Sequence, residues 1–499
     1  MEYTILQEGP DTEVTGVVCH SKKAAPGMVF VCIEGHAADG HVFAKEAVNR
    51  GSAVIVCSKP LSFQEPVTVI QTENTRKALA QIAAAYYDYP ARLLKMIGVT
   101  GTKGKTTVTY MLQRIFQQAG IPCGRVGTVE NDTGTHQYPS SQTTPGPLEL
   151  HKLLREMVDG GCKFAVVEVS SQAMMHHRLE GISFDLGILT NISEDHIGPG
   201  EHKNFEEYVF WKSRMLRQCS KAVVNADTPY AECITAGFPR ASLFTYSMKE
   251  RADLWTDDYE FIRLPGKLAV EFQTKGRYNI KLVTGSPGAF SVANSLAAVA
   301  AAKFFSIENR FIEKALREIA IPGRQELFTL DYTRTILIDY AHNGASLEAL
   351  LLALREYEPR YLTCVFGCGG ERDSARRRSM GEAAAKYADF SIITADNPRS
   401  ESLDSIIRDI INGLDVFSGN YQIIRDRKDA IEYAVRHCRE GEFVVIAGKG
   451  HERVQLLKER AMPFDDREEV RKSIEKVKYE QNYNRRNQEG DEWTVAFRR

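Results

Sequence analysis

The sequence predicts an α/β protein of several domains, built on largely parallel sheets. Three observations lead there. The chain has 499 residues, too many for one hydrophobic core, and at ~150 residues per domain it divides into about three. Short apolar runs alternate with helical patterns along most of its length, as when crossover helices cover both faces of a parallel sheet. One such run, Leu93 to Val99, ends in Gly101-Thr102-Lys103-Gly104-Lys105-Thr106-Thr107 and opens into a helix.

The elements follow in order. In residues 1–90, strands are expected over 29–33 and 53–57, with a helix over 43–49 between them. Residues 91–322 begin with the strand leading into the glycine loop. The helix after it places Val108, Met111, Leu112, Ile115 and Phe116 on one face, and Gly120 with Pro122 stops it. Runs over 164–169, 186–191 and 221–227 are apolar enough for buried parallel strands, whereas 253–284 alternates like an antiparallel edge. A break at Ile321-Pro-Gly-Arg324 opens residues 323–475, where strands over 336–339, 362–366, 390–394 and 443–447 alternate with helices. Residues 476–499 are dominated by Asn, Gln, Arg and Glu and read as a loose polar tail.

Composition narrows the function classes. With 43% hydrophobic and 26% charged residues the chain is of the ordinary globular kind. Its net charge of −2, without a basic block, gives no electrostatic footprint for nucleic acid. The N-terminus lacks the layout of a signal peptide, and no run reaches the ~18 apolar residues of a membrane span. The ten cysteines are scattered and the nearest pair, Cys364 and Cys368, is not a CxxC. Free thiols in a reducing cytoplasm are expected, not a zinc site or disulfides.

The glycine loop carries the chemistry. Its glycines allow a tight turn that aims backbone N–H groups and the helix N-terminus at an anion. Lys105 can reach β/γ-phosphates and Thr106 can offer a hydroxyl to Mg²⁺. Val99 stands where the GxxxxGK[ST] pattern has its first glycine, yet a plain strand-to-helix turn needs no Lys-Thr pair. Glu168 ends a buried strand, where an unpaired carboxylate is costly, so it has a structural partner or holds a metal. Asn191, Asp195 and His196 follow the next strand in the same way, and His196 is either a metal ligand or an ordinary histidine. Gly367-Cys-Gly369-Gly370 lacks the third glycine of a dinucleotide fingerprint.

These residues belong to a longer series. It runs Thr100-Gly-Thr-Lys-Gly-Lys-Thr-Thr107, Thr143-Thr-Pro145, Glu168-Val-Ser-Ser171, Thr190-Asn-Ile-Ser-Glu-Asp-His196, Tyr208-Val-Phe-Trp-Lys212 and Pro322-Gly-Arg-Gln-Glu326. It continues with Asp339-Tyr-Ala-His342, Val365-Phe-Gly-Cys-Gly-Gly-Glu-Arg-Asp373, Asp396-Asn-Pro-Arg399 and Gly448-Lys-Gly-His-Glu452. In this order the series resembles the ATP-dependent Mur ligases of peptidoglycan synthesis, specifically the type that adds meso-diaminopimelate to UDP-N-acetylmuramoyl-L-alanyl-D-glutamate. The resemblance implies a three-domain architecture with a central P-loop parallel sheet, a UDP-recognising N-terminal domain and a Rossmann-like C-terminal domain. It implies ATP and Mg²⁺, small-molecule substrates, no membrane insertion and a monomer. ATP would phosphorylate the substrate carboxylate, and the amine would attack the acyl phosphate.

Residue by residue, the resemblance makes Lys105, Glu168, His196 and Lys212 the catalytic set. Thr106 and Glu168 match a first magnesium site and His196 a second; Lys212, otherwise an ordinary helix-face lysine, matches a carbamylated lysine. Residues 101–107 with Asn294, Arg324, Asp339 and His342 match nucleotide contacts, whose plainer readings are a helix-start residue, a linker residue and a strand-end cap. Ser21 matches the uridine side, and Thr143, Thr144, Ser170 and Arg178 match the muramoyl-dipeptide side. Arg372, Asp396, Asn397, Pro398, Arg399, Gly448 and Glu452 match the amino-acid pocket, in which Arg399 would pair with the distal carboxylate of diaminopimelate. L-Lysine would leave that charge unpaired, at ~3–5 kcal/mol if buried.

The chain departs from the family pattern at Gln172, Gly146 and Ser291, and residues 197–205 run longer than usual. A paralogous ligase with another acyl substrate or with L-lysine, and a nucleotide-gated binding protein, are the alternatives. Retention of Lys105, Glu168, His196 and Lys212 weighs against the second.

Overall fold

The structure, a computed structural model, describes residues 2–496 except 36, 37, 195, 196, 199, 200, 332 and 459, with backbone alone for 482–496. Contacts divide it into two compact units, one of 1–257 with 273–280 and 293–316, the other of 258–272 with 281–292 and 317–499.

The first unit holds two main sheets. In the N-terminal one, Gly16–Val18, Met28–Val31, Val54–Cys57 and Thr68–Gln71 run parallel and Thr4–Gln7 closes the edge antiparallel. The expected helix is Ala44–Asn49, entered through the 3-10 turn Gly40–Phe43. Because successive side chains alternate across a strand, Phe30 and Ile55 pack with Ala44 and Ala47 while Val31 and Val56 pack with Ala78 and Leu79.

The second sheet has a parallel centre in the order Leu243–Ser247, Cys219–Asn225, Phe184–Leu189, Lys95–Thr100, Phe164–Glu168 and Cys123–Val126. The four apolar runs expected in this region all run parallel here and end at the same edge, so their following loops share one rim. The helix after the loop, Lys105–Gln118, buries Val108, Met111, Leu112, Ile115 and Phe116 as the spacing predicts. It ends where Gly120 takes a left-handed φ of 73°.

The second unit is organised by a sheet in the order Glu326–Thr329, Thr335–Asp339, Glu442–Ala447, Tyr361–Phe366, Phe390–Ile393 and Tyr421–Ile423. Only the first strand is antiparallel, and hydrophobic clusters cover both faces. The segment expected to be an antiparallel edge forms the hairpin Tyr259–Leu264 and Lys267–Gln273. Sequence placed all of 91–322 in one domain; contacts group 258–272 and 281–292 with the second unit. Phe261 stacks edge-on against Tyr357, whose hydroxyl donates to Ala269 O at 2.9 Å.

The polar tail also differs from expectation. The helix Asp466–Ala496 runs through it, and Val477 is buried while Lys476 and Glu480 pair with Glu432 and Arg436. Composition hid this because one buried residue per few turns suffices when flanking charges find partners. At the start of that helix Asp466 and Arg427, both without solvent exposure, form a two-point ion pair at 2.7 Å.

His151 in the helix Pro147–Asp159 is buried, and neither ring nitrogen has a hydrogen-bond partner among the described residues. Burial holds its pKa at about 4, below the ordinary 6.5. The unfolded chain therefore takes up a proton near pH 6.5 that the folded chain accepts only near 4, so this group's contribution is full above 6.5 and lost as pH falls. The lost stability is on the order of 3 kcal/mol by pH 4. Urea melts of wild type and His151→Leu between pH 7 and 4.5 should show a shallower decline in the variant; parallel declines would contradict this.

Candidate functional site

The site in the first unit grows from the rim of the central sheet. Lys95–Thr100 leaves the sheet into Gly101, whose φ of 146° suits glycine and whose added Cβ would lie 1.9 Å from Thr190 Oγ1. Gly104 begins the helix at φ 85°, with Asn294 Oδ1 2.3 Å from where its Cβ would stand. The loop is held from the neighbouring strand end: Asn191 O accepts from Thr102 N (2.9 Å) and Asn191 Oδ1 from Lys103 N (2.8 Å). Thr190 Oγ1 and Asn191 Nδ2 donate to Lys103 O. Thr102 Oγ1 pairs with Tyr208 OH at 2.9 Å.

Two ammonium groups converge on this loop. Lys105 Nζ donates to Gly101 O at 2.8 Å, and the buried Lys212 Nζ donates to the same oxygen at 2.7 Å. Lys212 projects from the helix Phe205–Arg214 and lies 4.6 Å over the Tyr208 ring. Thr107, half-buried, follows Thr106 in the first helical turn.

Glu168 is wholly buried. Thr106 Oγ1 donates to it at 3.0 Å, Thr128 N at 3.0 Å and Thr128 Oγ1 at 2.9 Å. A Cβ on Gly127 would come within 2.2 Å of Glu168 Oε1, so only glycine admits the carboxylate. The expected substrate residues adjoin it. Thr144 Oγ1 donates to Glu168 O (2.7 Å), Ser170 N donates to Thr144 Oγ1 (3.1 Å), and Arg178 Nη1 donates to Thr144 O (2.6 Å). Thr143 Oγ1 pairs with Thr128 Oγ1 at 3.1 Å. Ser21, by contrast, is held in the N-terminal sheet region, donating to Glu46 Oε2 at 2.7 Å. Asp195 and His196 lie outside the described residues.

The second unit gathers the remaining predicted residues at its own strand ends. Asp339 accepts from Gln325 N (2.9 Å) and Ala341 N (2.8 Å), and Gly448 N donates to Asp339 O (3.2 Å). His342 meets Tyr340 edge-on, and the Arg324 guanidinium lies 4.5 Å over the Tyr340 ring, its buried Nε without a hydrogen-bond partner among the described residues. His451, 4.8 Å from Tyr340, has its pKa lowered to about 3 by burial and by Arg324 and Arg467.

Beside them, Asn397 Nδ2 donates to Glu452 Oε2 (2.8 Å). Lys449 Nζ, wholly buried, donates to both Asn397 Oδ1 (3.0 Å) and Glu452 Oε2 (3.1 Å). Asp396 lies 3.8 Å from Lys449 Nζ; burial raises its pKa against the pull of Arg427 and Lys449. Arg399, at φ 53°, donates from Nη1 to Gly370 O at 2.5 Å, and Pro398 is buried in front of it. A Cβ placed on Gly369 would lie 3.4 Å from Arg399 Nη1 and 3.8 Å from Arg372 Cγ, so both arginines border the same small gap. Among the described residues neither has a carboxylate partner.

Sequence reasoning missed Thr128 and Lys449 as site residues. Thr128 follows the strand Cys123–Val126, the same polar-after-strand signal that marked Glu168. Lys449 lay inside a noted motif, between two glycines, but nothing in the sequence showed that it is buried.

Residues 13–87 match the catalytic domain of the Mur ligase family, 99–302 the Mur ligase middle domain and 323–450 the Mur ligase glutamate ligase domain. The chain belongs to the Mur ligase family. It is 37% identical over 470 residues to the UDP-N-acetylmuramoyl-L-alanyl-D-glutamate–2,6-diaminopimelate ligase of Caldanaerobacter subterraneus subsp. tengcongensis, covering 94% of this chain and 96% of that one. The Clostridium tetani ligase of the same name is 36% identical over 484 residues, covering 96% and 98%. A solved structure of a ligase of that name superposes with TM-score 0.66 at 28% identity, covering 92% and 94%. A MurF ligase from Thermotoga maritima, solved with ADP, shares the fold at TM-score 0.59 and 16% identity, covering 94% and 99%.

A Gly101→Ala substitution must displace Thr190 Oγ1 and adopt a strained φ. Its expected effect is at least a tenfold loss of ATP affinity with little change in far-ultraviolet circular dichroism. Calorimetric titration that returned wild-type affinity would show the loop to be more tolerant than its geometry implies.

Proposed function

We propose that this ligase adds meso-diaminopimelate to UDP-N-acetylmuramoyl-L-alanyl-D-glutamate with ATP, as part of peptidoglycan precursor synthesis. The observations that carry the reading are a phosphate loop beside buried Glu168 in the first unit and, in the second, two arginines bordering Gly369 without a carboxylate partner among the described residues. The relatives' names supply the identity of the substrates.

In the first unit, the loop N–H groups, the helix N-terminus and Lys105 hold the ATP phosphates. Thr143, Thr144, Ser170 and Arg178 orient the muramoyl-dipeptide carboxylate. That carboxylate attacks the γ-phosphorus; the bond to the bridging oxygen breaks and ADP departs. The amine of diaminopimelate then attacks the acyl carbon, loses a proton, and phosphate leaves as the amide forms. Bringing these anions together is opposed by repulsion, which Lys105 and the positive helix end offset.

Glu168 fits a magnesium ligand, because it is a buried carboxylate whose hydrogen-bond partners among the described residues are neutral threonine groups. Thr106 and Glu168 would hold a first Mg²⁺ through oxygen, His196 would hold a second, and Lys212 as a carbamate would supply further anionic oxygen. Bound there, the ion would neutralise charge on phosphate oxygens. An unmodified Lys212 ammonium would repel Mg²⁺, whereas a carbamate there would supply anionic oxygens; Lys212 is buried beside Gly101.

In the second unit, Arg399 and Arg372 receive the distal carboxylate of diaminopimelate and Glu452 its distal ammonium. Arg324, Asp339 and His342 are further proposed nucleotide contacts. Arg399 is half-buried, which reduces the cost of leaving it unpaired below the buried-charge figure. A lost charge-assisted bond worth ~1.5–3 kcal/mol is the better guide, and corresponds to roughly ten- to hundredfold discrimination.

ADP release should require both UDP-MurNAc-L-Ala-D-Glu and meso-diaminopimelate, with L-lysine at least tenfold poorer in kcat/KM and a tripeptide product by mass spectrometry. Efficient lysine addition would overturn the specificity. Lys212→Ala should lose nearly all turnover while keeping its melting temperature; full activity without added anions would remove the carbamate.

A further inference from the structure

Arg372 and Arg399 sit on two separate loops, residues 369–373 and 396–401, and recognition of one carboxylate requires their spacing to be fixed. Backbone alone joins the loops weakly, through Gly370 N to Asn397 O at 2.9 Å. Each loop also contains a non-glycine residue in the left-handed region, Glu371 at φ 57° and Arg399 at φ 53°, conformations that persist only where surroundings enforce them.

Arg377 lies in the first turn of the helix Ser374–Tyr387, outside the motifs that marked the site, and its side chain is 3% exposed. Its Nη1 and Nη2 grip Glu401 in a two-point pair at 2.6 and 2.5 Å. Nη2 also donates to Arg372 O (3.2 Å) and reaches Gly369 O (3.4 Å). Glu401 Oε2 accepts from Glu371 N at 2.9 Å, and Glu371 Oε1 in turn accepts from Ser400 Oγ at 2.6 Å. One ion pair thus touches both loops from below. A further arm, Nη1 to Asp409 Oδ2 at 2.9 Å, ties Arg377 to the helix Leu403–Leu414 and to neither loop.

We propose that Arg377 and Glu401 are positioning residues that set the spacing of Arg372 and Arg399, and so determine selectivity for an amino acid bearing a second carboxylate. This rests on the substrate reading above. The arrangement makes a distinction that general packing does not. The Glu401 arm faces the loops and the Asp409 arm faces a helix, so two charge-neutralising substitutions on the same guanidinium should have different consequences.

The experiment uses the full chain with Glu401→Gln, Asp409→Asn, Arg377→Lys and Arg377→Met. Expected for Glu401→Gln is a rise of tenfold or more in KM for meso-diaminopimelate, with KM for ATP and for the UDP-dipeptide within twofold of wild type and the preference over L-lysine reduced. Arg377→Lys should recover part of what Arg377→Met loses, because an ammonium restores charge but not the fork. Asp409→Asn should change KM for diaminopimelate less than threefold. Hydrogen exchange read on peptides covering 369–373 and 396–401 should accelerate in Glu401→Gln and not in Asp409→Asn. Equal effects of the two neutralising variants, or equal rises in all three KM values, would overturn the proposal. Wild-type protein without diaminopimelate-dependent turnover would instead overturn the substrate reading, and unchanged exchange in Glu401→Gln would then still refute the clamp.

Discussion

Burial of the Glu168 carboxylate constrains the whole rim of the first unit. An ionised carboxylate without solvent demands donors, and here they come from the loop helix through Thr106 and from the adjacent strand end through Thr128. Meeting that demand fixes neighbouring residue types. Gly127 cannot carry a side chain because the carboxylate occupies its place, and Thr144 binds the Glu168 carbonyl while bracing Ser170. Loop, carboxylate and substrate-side residues are therefore one mechanically connected piece. A change in any strand register would break it, since a one-residue slip turns Glu168 to the opposite face.

Much of this was legible in the sequence, and for specific reasons. Buried parallel strands are continuous apolar runs, so 95–100, 164–168 and 184–189 announced themselves, and Gly-Lys-Thr opening an amphipathic helix has few other uses. The chemistry at strand ends followed from sheet topology. What sequence did not disclose was partnership. Lys449 and Lys212 look like surface lysines until their burial is seen, because a lysine's stem is compatible with either setting. Likewise Val477 is too sparse a signal to distinguish a docked helix from a polar tail. The hairpin 259–273 carried an antiparallel pattern, but its affiliation depends on Tyr357, nearly ninety positions away from Ala269 in the chain.

In the second unit, charged residues fall into two groups that sequence cannot separate. Arg427, Arg377 and Lys449 are buried and answered by protein acceptors: Asp466, Glu401 with Asp409, and Glu452 with Asn397. Arg372 and Arg399 are more exposed and have no carboxylate partner among the described residues. Removing one partner from a buried pair costs several kcal/mol, so the first group is bound to the fold. A cation left unanswered at the mouth of a glycine-lined gap costs little in water and becomes valuable only when a ligand displaces that water.

The same logic accounts for where strain is tolerated. Glu371 and Arg399 adopt left-handed backbones that glycine would take more cheaply, yet glycine would remove the side chains that use them. Glu371 turns back to Ser400, Arg399 turns toward Gly370, and Gly370 itself leaves no room for a Cβ against Pro398 O. The two loops are thus pressed as close as backbone permits. Such compression at a functional edge must be opposed by something stiffer than a loop. The Arg377–Glu401 fork, with its guanidinium buried and braced on the helix Leu403–Leu414 through Asp409, has the stiffness and the location to do it.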